Sequence, residues 1–143
     1  LLPADKFRII LPITDPYVVH HGALGGFATI YMTEPSDVQS VCQKLSAQKG
    51  IELVLESPAA CERFSLPPDR VGQIVVISSA EWVLGHSLEY HDLSAISEPL
   101  RSHGGLSEQR VPFILNHPAP ELPASTNLRN YDIFDAALNY TTS

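Results

Sequence analysis

Residues 36–56 of the 143-residue chain read SDVQSVCQKLSAQKGIELVLE, and this stretch decides the fold class. Ser36 and Gln39 have the spacing of a capping box, in which each side chain satisfies a backbone N–H at a helix start. Apolar residues then recur at helical spacing and predict one buried stripe, made of Val38, Val41, Cys42 and Leu45. Gly50 stands where a left-handed helix end is expected, and residues 51–56 have strand composition. The stretch therefore predicts a helix followed directly by a strand.

The elements on either side extend this pair into a compact module. Residues 27–32 are rich in aromatic and β-branched residues and predict a strand ahead of the helix. Ser57 and Pro58 fit the cap and the first position of a second helix. The unbroken apolar run at 74–77 predicts a strand covered on both faces, with residues 82–84 as its hairpin partner. The predicted fold class is α/β (α+β), a β-α-β-α-β-β module with a mixed sheet and helices on one face.

The segments that flank the module have weaker patterns. Residues 7–11 and 111–115 predict strands, and residues 132–139 predict a terminal helix. Between them, residues 88–106 show little periodicity. We interpret the flanking segments as suited to pack against another folded unit.

The composition excludes several classes of protein. The formal net charge is −7, and the nine basic residues are scattered, whereas a nucleic-acid surface needs them clustered. The apolar runs are far shorter than the roughly 20 residues that span a bilayer, and no signal peptide is visible. Cys42 and Cys61 fit no metal-binding or redox spacing, so we interpret them as small buried apolar residues rather than a disulfide. We expect a cytoplasmic protein with no nucleic-acid partner and no membrane segment.

The stretch LRSHGGLSEQ at 100–109 is the most informative for chemistry. His103 is followed by two glycines, which let the backbone turn sharply and leave the ring free to point into a site. Imidazole is a common zinc ligand, and its second nitrogen normally needs an acceptor. Glu108 is a candidate acceptor, although Ser102, Ser107 or a carbonyl would also serve. The alternative is a loop histidine at the surface, because one histidine never makes a metal site.

Two other histidine groups are weaker candidates. His20 and His21 are adjacent, so on an extended backbone they point to opposite sides and could hardly share one metal. Asp15 could approach His20 across a loop. His91 is followed by an aspartate, yet sequence neighbours seldom orient each other, and a solvated turn is the alternative reading.

Five segments, taken in order, resemble phosphonoacetate hydrolases of the alkaline phosphatase superfamily. They are residues 9–31 (IILPITDPYVVHHGALGGFATIY), 69–77 (DRVGQIVVI), 83–85 (VLG), 91–93 (HDL) and 100–112 (LRSHGGLSEQRVP). In that superfamily a His-Gly near the end of the catalytic domain carries a metal-ligating histidine. His103 takes that place here.

The resemblance implies a reaction and its cofactor. Such enzymes hydrolyse the C–P bond of phosphonoacetate to acetate and phosphate, using two zinc ions and a threonine nucleophile. The motifs of the threonine, of the aspartate ligands and of an Asp-His pair are absent from this sequence. The resemblance therefore implies that His103 is the one zinc ligand supplied here, that no catalytic residue is present, and that the isolated chain is inactive. Apart from the resemblance, His20 and His21 are candidate residues near the substrate, and the alternative is a pair of loop residues without function.

The resemblance further implies a division of the chain. Residues 1–26 would lead from the catalytic core, residues 27–97 would form a small inserted cap domain, and residues 98–143 would return to the core. The chain would then be the C-terminal part of a hydrolase. Its partners would be a small phosphonate and the rest of the catalytic domain, with a homodimer left open. The alternative is a free-standing small α/β ligand-binding or assembly module without catalysis.

Overall fold

The computed structural model describes residues 6–11, 24–34, 37–85, 103–122 and 127–141. The chain divides into two compact units, Leu1–Gln109 and Arg110–Ser143. Within these ranges, no helix combines the length and the apolar character needed to cross a membrane. Both cysteines are free thiols.

One four-stranded sheet forms the centre of the first unit. Its strands are β1 (Phe7–Ile10), β2 (Phe27–Met32), β3 (Ile51–Glu56) and β4 (Ile74–Ser78), and their order in the sheet is β1-β2-β4-β3. Every hydrogen-bonded pair of strands is antiparallel, so β2 and β3, which lie on either side of β4, run in the same direction. The α+β fold class is therefore confirmed, and the expectation of a mixed sheet is corrected.

The sheet is covered on both faces. On one face, helix α1 (Val38–Ser46) contributes Val41 to a core cluster with Ile30, Ile74 and Val76. On the other face, helix α2 (Ser57–Phe64) contributes Ala60 to a cluster with Val75 and Ile77. The run at 74–77 is thus buried from both sides as predicted, since a strand that is apolar at every position needs a cover on each face. The expectation that the helices lie on one face is wrong for the same reason.

The helix ends follow the sequence signals only in part. Helix α1 begins at Val38 after Asp37, whose side chain makes no capping hydrogen bond, and Ser36 lies outside the described residues. Ser57 is the first residue of α2 and not its cap, so that prediction is wrong by one position. Helix α1 ends at Ser46 with Ala47 as a right-handed cap, so the prediction that Gly50 closes the helix is wrong, although Gly50 has the predicted left-handed conformation at φ +85°.

Residues 82–84 do not form the predicted hairpin partner of β4. Glu81 has φ +66°, and Trp82 N–H donates to the Ser79 carbonyl, so the chain turns immediately after β4. The Trp82 ring packs against Gly50, where a side chain would have no room. Leu84 makes a single antiparallel bridge to Gly25. These contacts replace strand pairing with a turn that closes one end of the sheet.

The second unit contains the terminal helix. Helix α3 (Asp132–Asp135) continues as a π-helical turn over Ala136–Tyr140, which confirms the helix predicted at 132–139. The carboxylate of Asp132 accepts from the Arg129 N–H at 2.7 Å, at the helix start. The strand predicted at 111–115 is not formed among the residues described in this unit.

Candidate metal-binding site

The loop of His103 is held at the end of the sheet where β2 begins and β4 ends. Gly26 N–H donates to the His103 carbonyl at 2.7 Å. The Gly26 carbonyl in turn accepts from Ser78 N–H, and the Gly25 carbonyl accepts from Leu84 N–H, both at 2.8 Å. Two adjacent glycines therefore join the histidine loop to β4 and to the turn that follows β4.

The imidazole of His103 lies directly on Gly25. A Cβ atom at position 25 would stand 2.7 Å from Cε1 and 3.1 Å from Nδ1 of the ring. Carbon atoms in contact normally stay about 3.5–4.0 Å apart, so the ring fits only because this residue has no side chain. The ring is half-buried in this position.

The two residues after His103 give the loop its shape. Gly104 has φ +84°, which an L side chain rarely adopts, and it lies close to Phe27. Gly105 N–H donates to the Glu108 carboxylate at 2.8 Å, and Leu106 packs into the core cluster beneath α2. The loop is thus a tight turn anchored by a carboxylate and an apolar side chain.

Glu108 has a different partner from the one proposed on sequence grounds. We predicted it as an acceptor for the imidazole, and its carboxylate bonds the backbone of Gly105. It acts on the histidine indirectly, because it orders the turn that follows the histidine.

The donor set limits what this chain can hold by itself. Zinc is commonly bound by imidazole, so His103 fits the role of one ligand. Among the residues that the structure describes, no three His, Cys, Asp or Glu side chains come together to hold a metal ion. Such an ion would therefore need further ligands from outside these residues.

The remaining candidates cannot be placed. His20, His21 and His91, with Asp15, lie outside the described residues, so their roles stay predictions. Sequence reasoning also missed two residues of the site, Gly25 and Gly26. The signal available was a glycine pair immediately before a predicted strand.

Comparison with known proteins identifies relatives of this chain. No known family profile matches the chain. A crystal structure of phosphonoacetate hydrolase from Sinorhizobium meliloti 1021 in complex with phosphonoacetate is 54% identical over 96% of the chain, with a TM-score of 0.77. The same values hold for the complex of that enzyme with phosphonoformate. A phosphonoacetate hydrolase of Penicillium oxalicum is 63% identical over 27 residues, which are 18% of this chain.

The chain spans only a third of the length of the solved relative, because it covers 33% of the solved hydrolase. The match to the Penicillium oxalicum protein covers 38% of that protein.

Proposed function

We propose that the chain belongs to the phosphonoacetate hydrolase family and forms part of an enzyme that cleaves the C–P bond of phosphonoacetate to give acetate and phosphate. The 54% identity over 96% of the chain is the observation that carries this proposal. The relatives solved with phosphonoacetate and with phosphonoformate support a small phosphonate as the substrate.

In this proposal His103 is one zinc ligand of the complete enzyme, and it is the only ligand that this chain supplies. The half-buried ring on Gly25, the turn at Gly104 and the Glu108 bond to Gly105 support the assignment, because together they fix the imidazole to the end of the sheet. Zinc, when bound, would lower the pKa of a nucleophile and stabilise negative charge on phosphoryl oxygens. It would also supply the positive field that a chain of net charge −7 lacks for an anionic substrate.

The module built on the sheet would act as a cap that shapes the site entrance and limits water. This role belongs to residues 27–97, with residues 1–26 leading from the catalytic core and residues 98–143 returning to it. The Arg110–Ser143 unit supports the return to a core, because several of its large apolar side chains are strongly exposed in this chain. They are Val111, Ile114, Tyr131, Phe134 and Leu138. The rest of the catalytic domain would cover them.

A metal analysis of the full-length polypeptide tests the proposal. His103→Ala should remove one zinc ligand while the fold stays intact, because the ring lies half-exposed in a polar loop. Zinc content per chain should fall below that of the wild type, and phosphate release from phosphonoacetate should fall by orders of magnitude. His117→Ala, at an exposed histidine of the other unit, is the matched control. Retention of full zinc content and near-normal turnover in His103→Ala would refute the assignment.

The alternative is a free-standing, non-catalytic α/β module. Among the described residues no three His, Cys, Asp or Glu side chains come together to hold a metal, which favours this alternative for the chain in isolation. Binding of phosphonoacetate by the 143-residue chain without added metal would support this alternative. Binding that requires the full-length polypeptide and zinc would exclude it.

A further inference from the structure

We infer that Gly25 is a positioning residue for the His103 imidazole, an inference that rests on the proposed zinc role of that side chain. The absence of a side chain at Gly25 sets where the ring lies at the end of the sheet. Any larger residue would have to push the ring away from that place.

The requirement at Gly25 is for space and not for backbone conformation. Among the described glycines, positive φ occurs at Gly50 and Gly104, so Gly25 has a conformation that other residues adopt. Two of the three atoms nearest to an added Cβ belong to the His103 ring, at 2.7 and 3.1 Å. The third is the carbonyl oxygen of the same histidine, at 3.3 Å. All three close neighbours of the missing side chain thus belong to one residue.

The backbone at this point is less free to move than the ring. The Gly25 carbonyl accepts from Leu84 N–H, and the next residue, Gly26, bonds both Ser78 and His103 through its backbone. A side-chain ring can rotate about its χ angles at small cost, whereas three backbone hydrogen bonds cannot shift together as easily. A methyl group at position 25 would therefore displace the imidazole by about 1 Å, to reach normal contact distance.

Such a displacement is large for a metal ligand, which must be held within about 0.5 Å of its productive position. For Gly25→Ala in the full-length polypeptide we expect zinc affinity to fall about 10- to 100-fold, as for other residues that orient a ligand. The measurement is a competitive titration of zinc against a chromophoric chelator.

Gly72→Ala is the matched control. An added Cβ at Gly72 would clash with the Ile30 carbonyl oxygen, near the opposite end of β4. Because it strikes backbone and not a ligand side chain, Gly72→Ala should lower the unfolding temperature and leave the zinc affinity of the folded fraction unchanged. In Gly25→Ala we expect the opposite result, in which the zinc affinity changes more than the unfolding temperature.

A double-mutant cycle on the metal-free protein gives a second readout that is independent of zinc. Gly25→Ala alone should lower the unfolding midpoint by about 2–6 °C, since overpacking is destabilising. In the His103→Ala background the ring is absent, so Gly25→Ala should lower the unfolding midpoint by less than about half as much. A purely backbone role for Gly25 would give equal shifts in both backgrounds and would overturn the inference.

Different results would contradict the ligand role of His103 and the positioning role of Gly25. If His103→Ala retains full zinc content, the proposed ligand role falls. If His103→Ala loses zinc but Gly25→Ala binds it with wild-type affinity, the ligand role stands and the positioning role is wrong.

Discussion

The bond between Glu108 and the histidine loop supports a quantitative prediction. In Glu108→Ala the Gly105 N–H loses its carboxylate acceptor, and Gly105 is buried, so water cannot easily replace it. A hydrogen bond to a charged group contributes about 1.5–3 kcal/mol. At about 1.4 kcal/mol per factor of ten, this loss corresponds to roughly 10- to 150-fold in the population of the ordered turn.

Only the ordered turn presents the imidazole correctly, so the apparent zinc affinity of the full-length polypeptide should fall by up to this factor. We expect a decrease of about 10- to 100-fold for Glu108→Ala. Glu108→Gln keeps an acceptor oxygen, and its zinc affinity should stay within about threefold of the wild type. Glu62→Ala removes an exposed carboxylate from α2 and is the matched control.

Two measurements check this prediction together. Zinc affinity is obtained by chelator competition, and the order of the turn by hydrogen exchange of the Gly105 amide, which should accelerate in Glu108→Ala. Wild-type zinc affinity with an equally protected Gly105 amide would refute the reasoning. It would mean that other contacts of the loop, such as the packing of Leu106, are sufficient to hold it.

Three further predictions concern the chain itself. Val41 is 2% exposed, so Val41→Asp should abolish the cooperative unfolding transition measured by circular dichroism. Gln43→Asp, on the exposed side of α1, should keep that transition, and a normal transition in Val41→Asp would contradict the packing described for α1. The isolated 143-residue chain with zinc should release no phosphate from phosphonoacetate, and release above a no-enzyme control would contradict this. Burial, with a smaller effect of Glu56, raises the pKa of the Cys42 thiol above its ordinary value. The protonated thiol therefore stabilises the fold below the unfolded-state pKa, and this contribution is lost as pH rises toward the folded-state pKa. Urea midpoints should fall less steeply above about pH 8.5 in Cys42→Ala than in the wild type, and equal slopes would rule the effect out.

The sequence predicts the elements of the module well because their signals are local. The stripe that contains Val41 has helical spacing, and the run at 74–77 is apolar at every position, so each identifies its own element. The arrangement of these elements relative to one another is not encoded by local signals. Strand direction and the face that each helix covers depend on contacts far apart in the chain, and the sheet proved antiparallel with α1 and α2 on opposite faces.

The two wrong strands have a common physical origin. Residues 82–84 and 111–115 are short apolar runs, and short runs do not distinguish a strand from a turn or an extended segment. At 82–84 the tertiary contacts decide: the Trp82 ring occupies the space above Gly50, and Ser78 Oγ donates to the Trp82 carbonyl at 2.7 Å. The Trp82 side chain, which in the sequence indicated a strand, instead packs against Gly50 at the turn that follows β4.

The candidate site divides in the same way between local and distant signals. His103 is recognisable from its own context, because a histidine before two glycines lies in a turn. Its surroundings are not, because Gly25 and Gly26 are distant in sequence and reach it through the sheet. An added Cβ on Gly26 would lie 3.1 Å from Gly105 N, and one on Gly104 would lie 3.2 Å from Phe27 Cβ. Two glycine pairs thus let two backbone segments approach more closely than side chains permit. The close approach of the histidine loop to β2 and β4 therefore holds the imidazole at the end of the sheet, and in the proposed zinc role further ligands would come from outside the described residues.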